Sequence, residues 1–199
     1  MPRHGKKYRE AVKLVEAERR YPIGEAAELL PKLSISKFDG TVEAHLRLGI
    51  DPRHADQAVR GTVVLPHGTG KSVRVVVFAQ GEKAQEAQRA GADEVGAENL
   101  VKRVDEGWFD FDIERAVREI KSGRVEFKVD RTGIVHVPVG RASFSPDQLT
   151  ANLGALVDAV QRAKPSGAKG TYMRSLTIAP TMGPGIRVDI PSALAAASA

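Results

Sequence analysis

A chain of 199 residues with 42% hydrophobic side chains is long enough to bury a true core in one domain or two small ones. No apolar run approaches a membrane span, the basic start MPRHGKKYRE leads into no apolar h-region, and there is no cysteine. These features argue against a membrane protein, a secretory leader, disulfides, thiolate metal sites and cysteine nucleophiles, and are expected of a cytoplasmic protein. The net charge of +5 is unevenly spread: 12 Lys and Arg face 9 Asp and Glu over residues 1–66, and 8 face 5 over 126–199, but 10 face 11 over 67–125.

The excess positive charge therefore sits in the outer segments, as expected if 1–66 and 126–199 combine into one basic domain interrupted by a near-neutral insert, 67–125. The opening run places Arg3, Lys6, Lys7 and Arg9 ahead of the first acid, Glu10, and continues helically through Ala11, Val12, Leu14 and Val15. Residues 23–30 predict a short helix stopped by Pro31. Val42, Ala44, Leu46 and Leu48 then alternate with Thr41, Glu43, His45 and Arg47, the pattern of a half-buried strand. A second strand over 60–65 follows the loop DPRHADQ and is expected to pair antiparallel with the first. In the insert, SVRVVVFA predicts a strand buried on both faces, and the following segment alternates helix, short strand and helix, which makes a βαβ unit. WFDFD, with Trp108, Phe109 and Phe111, predicts a further strand, and ERAVREIKSG a helix closed by Gly123.

Back in the outer segment, VEFKVD, the turn RTG and IVHVPVG predict a hairpin. The helix that covers it has a well-specified start, with Ser145 at the N-cap, Pro146 at N1 and Gln148 completing a capping box. Leu149, Leu153, Leu156, Val157 and Val160 form its apolar face, and Pro165 ends it. Two strands, YMRSLTIA and IRVDI, flank TMGPG, where Gly183 can take positive φ or admit another backbone and Pro184 fixes its own φ. The closing SALAAASA has little bulk and is expected to fray.

Chemistry-bearing patterns are sparse. GTGKS, residues 68–72, is similar to the end of a phosphate-binding loop, but Leu65 stands where that pattern needs its first glycine, and the segment leads into a strand. An enzyme binding a nucleotide through the insert is the alternative reading that rests on it. His4, His45, His54, His67 and His136 have no metal-ligand spacing, Asp110 and Asp112 share a strand face as solvated carboxylates do, and no GxSxG is present. No catalytic residue, metal site or cofactor is expected.

The runs MPRHGKKYREA, KFDGTVEAHLRLGIDPRHADQAVRGTVVLPHGTGKSVRV, GADEVG, EGWFDFD, REIKSGRVEFKVDRTGIVHVPVGRASF and KPSGAKGTYMRSLTIAPTMGP resemble the bacterial ribosomal large-subunit protein L-one family, in order and over nearly the whole chain. The resemblance implies an α/β fold of two domains, a discontinuous basic domain built from both termini and an inserted Rossmann-like domain. It implies a place in the mobile stalk beside the tRNA exit site and three partners: the stalk segment of large-subunit rRNA, the exit-site tRNA whose release it assists, and its own operon's mRNA, whose translation it represses. Neither DNA nor membrane is expected as a partner. The chain departs from the family after WFDFD, where a signature of the type LGPRGLMPNPK is absent and Asp112 runs directly into IERAVREIK: either the insert is truncated or a segment is missing from the sequence as numbered.

Carried onto this chain, the family's RNA contacts fall on Lys37 for a phosphate, Phe38 against ribose or base, and Thr41 and Glu43 toward sugar hydroxyls or base edges. Ser175, Thr181, Met182 and Gly183 complete the site. Lys169, with Lys7 and Arg9, belongs to the basic set that supplies salt-sensitive affinity. Where the family commonly has threonines, this chain has Ala179 and Pro180. A carboxylate such as Glu43 repels phosphate but accepts from ribose hydroxyls or a guanine edge, which favours RNA over DNA.

Overall fold

The computed structural model describes residues 5–71, 75–78, 82–96 and 123–198. The chain is α/β and divides into two compact units, Met1–Gly70 with Val125–Ala199, and Lys71–Arg124. In the first unit the described elements are α1 (Lys6–Val12), α2 (Ile23–Leu33), β1 (Thr41–Leu48) and β2 (Arg60–Val64). The second unit holds β3 (Val76–Phe78), α3 (Glu82–Arg89) and β4 (Glu94–Gly96). The chain re-enters the first with β5 (Arg124–Lys128), β6 (Ile134–Arg141), α4 (Pro146–Arg162), β7 (Met173–Pro180), β8 (Ile186–Val188) and α5 (Ile190–Ser198).

A four-stranded sheet in the order β6-β1-β7-β8 organises the first unit. β1 lies at its centre, antiparallel to both β6 and β7, and its alternation is as the sequence predicts: Val42, Ala44, Leu46 and Leu48 are buried on one face. Val135, Val137, Val139, Leu176, Ile178, Ile186 and Val188 line the same core, against the Leu149, Leu153, Leu156, Val157 and Val160 face of α4. Each such side chain removed from water stabilises the fold by about 1.5–3 kcal/mol. The capping box of α4 is present, with Ser145 Oγ accepting from Gln148 N–H and Ser145 N–H donating to Gln148 Oε1 at 3.0 Å. Helices α2, α4 and α5 pack together on this side, leaving a two-layer unit.

Long-range pairing overturns several local expectations. β2 does not join β1, whose two edges are taken; it pairs with β5, where Arg60 Nε donates to Glu126 Oε1 at 2.6 Å. The expected hairpin is reduced to its turn and one bridge, Val129 to Val135, after which β5 and β6 part into different sheets. Asp130 closes that turn by accepting from the Thr132 and Ile134 N–H groups, each at 2.8 Å. α2 runs through Pro31 to Leu33: the missing N–H removes one ladder bond near the helix end, and burial of Leu30 and Leu33 offsets it. α1 ends at Val12, because its apolar residues form no continuous face; Val12 and Leu14 are 41% and 53% exposed and only Ala11 is buried.

The closing segment is a helix, not a frayed tail. Asp189 starts α5, its Oδ2 accepting from Ser192 N–H at 3.1 Å, while Ser192 Oγ accepts from Ile23 N–H at 3.2 Å. Small side chains are what let it dock. A Cβ on Gly154 of α4 would stand 3.0 Å from the Ala196 carbonyl oxygen, so the two helices approach at backbone distance.

In the second unit β3 and β4 are parallel, with Val76 opposite Glu94 and Phe78 opposite Gly96, joined through α3 as the βαβ pattern predicts. Val75, Val77 and Ala87 form its own small core. The strand expected at Trp108, Phe109 and Phe111, the carboxylates of Asp110 and Asp112, and the helix expected over ERAVREIK lie outside the described residues.

Candidate nucleic-acid interface

With the helices on one side of the four-stranded sheet, its other face is open. Register places Glu43, His45 and Arg47 of β1 beside Ala179, Thr177 and Ser175 of β7, with His136 and Pro138 of β6 flanking and Arg187 of β8 opposite Thr177. The strand period of two puts all of these on the uncovered side.

At one end of this face two loops meet. Thr181, just after β7, donates both its N–H (2.9 Å) and its Oγ1 hydroxyl (3.0 Å) to the carbonyl of Thr41 at the start of β1. The hydroxyl proton is thus committed internally, and toward a ligand Thr181 presents lone pairs. Residues 180–183 close a β-turn through Gly183 N–H donating to the Pro180 carbonyl at 2.9 Å. Of the two roles open to Gly183 in the sequence, the positive φ falls on Met182 instead, at 63°. Glycine at 183 serves close approach within the chain: a Cβ there would lie 2.6 Å from the Leu33 carbonyl oxygen and 2.6 Å from Pro180 Cγ, so the turn seats on the end of α2.

The facing loop carries Lys37 and Phe38, both exposed. Ser36 Oγ donates to the Phe38 carbonyl at 2.8 Å. Asp39 pins the loop from below, its Oδ1 and Oδ2 accepting from Ser143 N–H (3.0 Å) and Oγ (2.8 Å), and its carbonyl from Arg141 (3.0 Å). Sequence reasoning missed Ser36, Asp39, Arg141 and Ser143, although the aspartate-glycine pair of KFDG marked a turn. The outcome is an aromatic ring 60% exposed and a thioether 70% exposed at one end of a polar face, both on loops braced by hydrogen bonds. Thr41 and Glu43 lie next along β1.

The remaining predicted residues are set apart. Ser175 shares the open face but lies six residues before Thr181 along β7, about 20 Å away in extended chain. Lys169 is exposed ahead of the start of β7, at the opposite end of the sheet. Lys7 and Arg9 are exposed on α1, which packs on α2. In the middle of the face, His45 and His136, separated by 91 residues in sequence, share a hydrogen bond between their Nδ1 atoms at 2.8 Å. One ring must donate and the other accept, so at least one is neutral. Burial, and then the neighbouring His136, hold the His45 imidazole below its ordinary value against the opposing pull of Glu43. No cluster of metal-ligating side chains occurs among the described residues.

The GTGKS loop has no phosphate cradle in its first part. His67 N–H donates to buried Asn152 Oδ1 at 3.0 Å, Gly68 N–H donates to the Leu65 carbonyl at 3.0 Å, and Asn152 Nδ2 donates to the Gly68 carbonyl at 3.0 Å. The two Asn152 bonds tie the loop to α4.

A sequence profile described as the Ribosomal protein L1p/L10e family matches residues 30–114 and 109–184. The chain belongs to this family. A protein named large ribosomal subunit protein uL1 from Chloroflexus aurantiacus is 51% identical over 228 aligned positions, covering 95% of this chain and 96% of that one. The protein of the same name from Chloroflexus aggregans is 50% identical over 229, covering 96% and 97%. Both alignments exceed the 199 residues present here, so each family member has internal residues without a counterpart in this chain. The two profile matches meet at 109–114, where the LGPRGLMPNPK-type signature is absent.

Proposed function

We propose that this chain is a structural constituent of the large ribosomal subunit that binds the stalk segment of large-subunit rRNA through the open face of its first unit. The same interface takes a similar structure in its own operon's mRNA and represses translation, and the second unit assists release of deacylated tRNA from the exit site. The work is done on the ribosome, in the cytoplasm, by binding and without a catalytic step. Residues 1–66 and 126–199 form the RNA-binding domain in this reading, and 67–125 the insert.

One observation carries it: Met182 is held at positive φ and 70% exposed, next to a loop presenting Phe38 at 60% exposure. A non-glycine residue in a left-handed conformation is uncommon, and an apolar one facing water gains nothing for the fold. Apolar stems on braced loops, followed by the lone pairs of Thr181, Thr41 and Glu43, suit stacking on sugar or base with hydrogen bonds from 2′-hydroxyls. The names of the relatives make rRNA the polymer to test. Filter binding with a transcript of the stalk segment should give saturable binding that Phe38→Ala weakens by about 1–3 kcal/mol, the range for a lost stacking contact. Equal affinity for a DNA version of the stalk, or an unchanged Phe38→Ala variant, would overturn the reading.

A further inference from the structure

The open face has a second end. Between β1 and β7 the register slips: Arg47 faces Ser175 but Leu48 faces Met173, so Arg174 is an extra residue without a partner on β1. A bulge of this kind breaks the alternation and re-aims a side chain. Arg174 and Ser175 are consequently both exposed, between buried Met173 and Leu176. At the neighbouring edge Arg187 lies opposite Thr177, and Tyr21 bridges to Val188 with its N–H donating to the Arg187 carbonyl at 2.9 Å, which brings Arg20 alongside. The three arginines and the hydroxyl-bearing Ser175 and Thr177 line one recess, and no carboxylate is among the residues lining it.

Three other arginines of this unit are matched with carboxylates, Arg19 with Glu25 at 2.9 Å, Arg60 with Glu126 at 2.6 Å and Arg162 with Asp158 at 2.8 Å, and what sets the recess apart is that three guanidiniums share it. Among the described residues the side chains of Arg20, Arg174 and Arg187 have no ion pair or hydrogen bond. Three guanidiniums converging without a counter-charge repel one another, and a bound anion relieves that repulsion while using their forked donors.

We propose that this recess is a phosphodiester subsite, so that the bound RNA runs along β7 from the Met182 turn to Arg174, Arg187 and Arg20. The proposal rests on the RNA-binding reading above and adds a second basic anchor to the one that Lys37 offers at the Phe38–Met182 end. A continuous backbone is favoured over a free anion because the recess opens onto the same face as the turn and is reached along one strand.

The test is the salt dependence of stalk-transcript binding by the full chain and by Arg174→Gln/Arg187→Gln. Loss of a phosphate contact should reduce the slope of log affinity against log salt by about 1 and weaken binding roughly tenfold at low salt, with the melting temperature unchanged. The control Lys128→Gln/Lys164→Gln removes the same charge from β5 and from the segment after α4, and should leave the slope near that of wild type. If the arginine variant keeps the wild-type slope while Phe38→Ala still weakens binding, the subsite is wrong and the RNA-binding reading stands. If wild type fails to bind the transcript, both fall. Calorimetry with inorganic phosphate should show no saturation at micromolar concentration; saturation there would make the recess a small-anion site and overturn the proposal.

Discussion

Met182 holds a left-handed backbone that disfavours a side chain by about 1–2 kcal/mol, and glycine there would relieve this while adding about 0.5–1 kcal/mol of chain entropy to be lost on folding. Met182→Gly should therefore melt at or slightly above the wild-type temperature, yet bind stalk RNA more weakly by about 1.5–3 kcal/mol if the thioether is buried against the ligand. Equal binding would reduce the run TMGPG to a turn. Thr181→Val makes a finer test. The Thr41 carbonyl keeps the Thr181 N–H when the hydroxyl is removed, so stability should change by no more than about 1 kcal/mol, whereas a lost 2′-hydroxyl partner should weaken binding by about 1–3 kcal/mol. Gly183→Ala belongs to a different class: its Cβ would strike the Leu33 carbonyl, so the first loss expected is in the melting temperature. Asp130 contributes to the acid limb of stability. Hydrogen bonds from Ile134 and Thr132 lower its carboxyl from 3.8 to about 2, so the unfolded chain takes up its proton first as pH falls. The stabilisation is complete above pH 3.8 and is lost as pH falls toward 2. Thermal melts of wild type and Asp130→Asn should differ at pH 5 and converge near pH 2.

At the scale of elements, α5 shows how small residues build an interface. Gly154→Ala places its Cβ 3.0 Å from the Ala196 carbonyl, a crowding that the helix-propensity gain of about 1 kcal/mol can offset, so little net change is expected. Gly154→Leu has no such room and should destabilise by about 1–3 kcal/mol, with hydrogen exchange rising first in α5. A melt unchanged by leucine would show that α5 is not docked as described. The sequence reading missed this helix because it weighed side-chain bulk, although Asp189 with Pro191 in the following turn was a helix-start signal open to local inspection. Ser145, Pro146 and Gln148 were legible for the same reason: a cap is made by residues three apart. The alternation of β1 was legible because burial on one face imposes a period of two. Which strands meet was not, since β1's partners are set by the common core under α4 and lie far along the chain. The same distance hid the contact between His45 and His136 and the bulge at Arg174, each of which exists only once register is fixed. Most of the proposed site residues came from motif resemblance, and Asp39, which braces two of them, acts through a contact 104 residues away.

On the scale of the molecule, each unit has its own core. The large apolar cluster is drawn wholly from residues of the first unit, and Val75, Val77 and Ala87 form a separate one in the second. The strands that leave and re-enter the first unit, β2 and β5, are sheet neighbours held by Arg60 and Glu126, so a short linker can span the excised segment. The proposed contacts at Phe38, Thr41, Glu43, Thr181 and Met182, and the arginine recess, all belong to the first unit. A chain with Gly70 joined to Val125 through a short glycine-serine linker should therefore melt cooperatively and bind the stalk transcript within about tenfold, or 1.4 kcal/mol, of the full chain. Its salt slope should match the full chain's, because the segment removed is near neutral, with 10 basic against 11 acidic residues over 67–125. A steeper loss of affinity with the cooperative melt retained would place essential RNA contacts in the insert and overturn the assignment of the interface to the open sheet face. Release of deacylated tRNA from ribosomes carrying the shortened chain should slow while their stalk rRNA stays bound, since anchoring and tRNA handling would reside in different units. Unchanged tRNA release would remove the second unit from that role and leave the rRNA interface untouched.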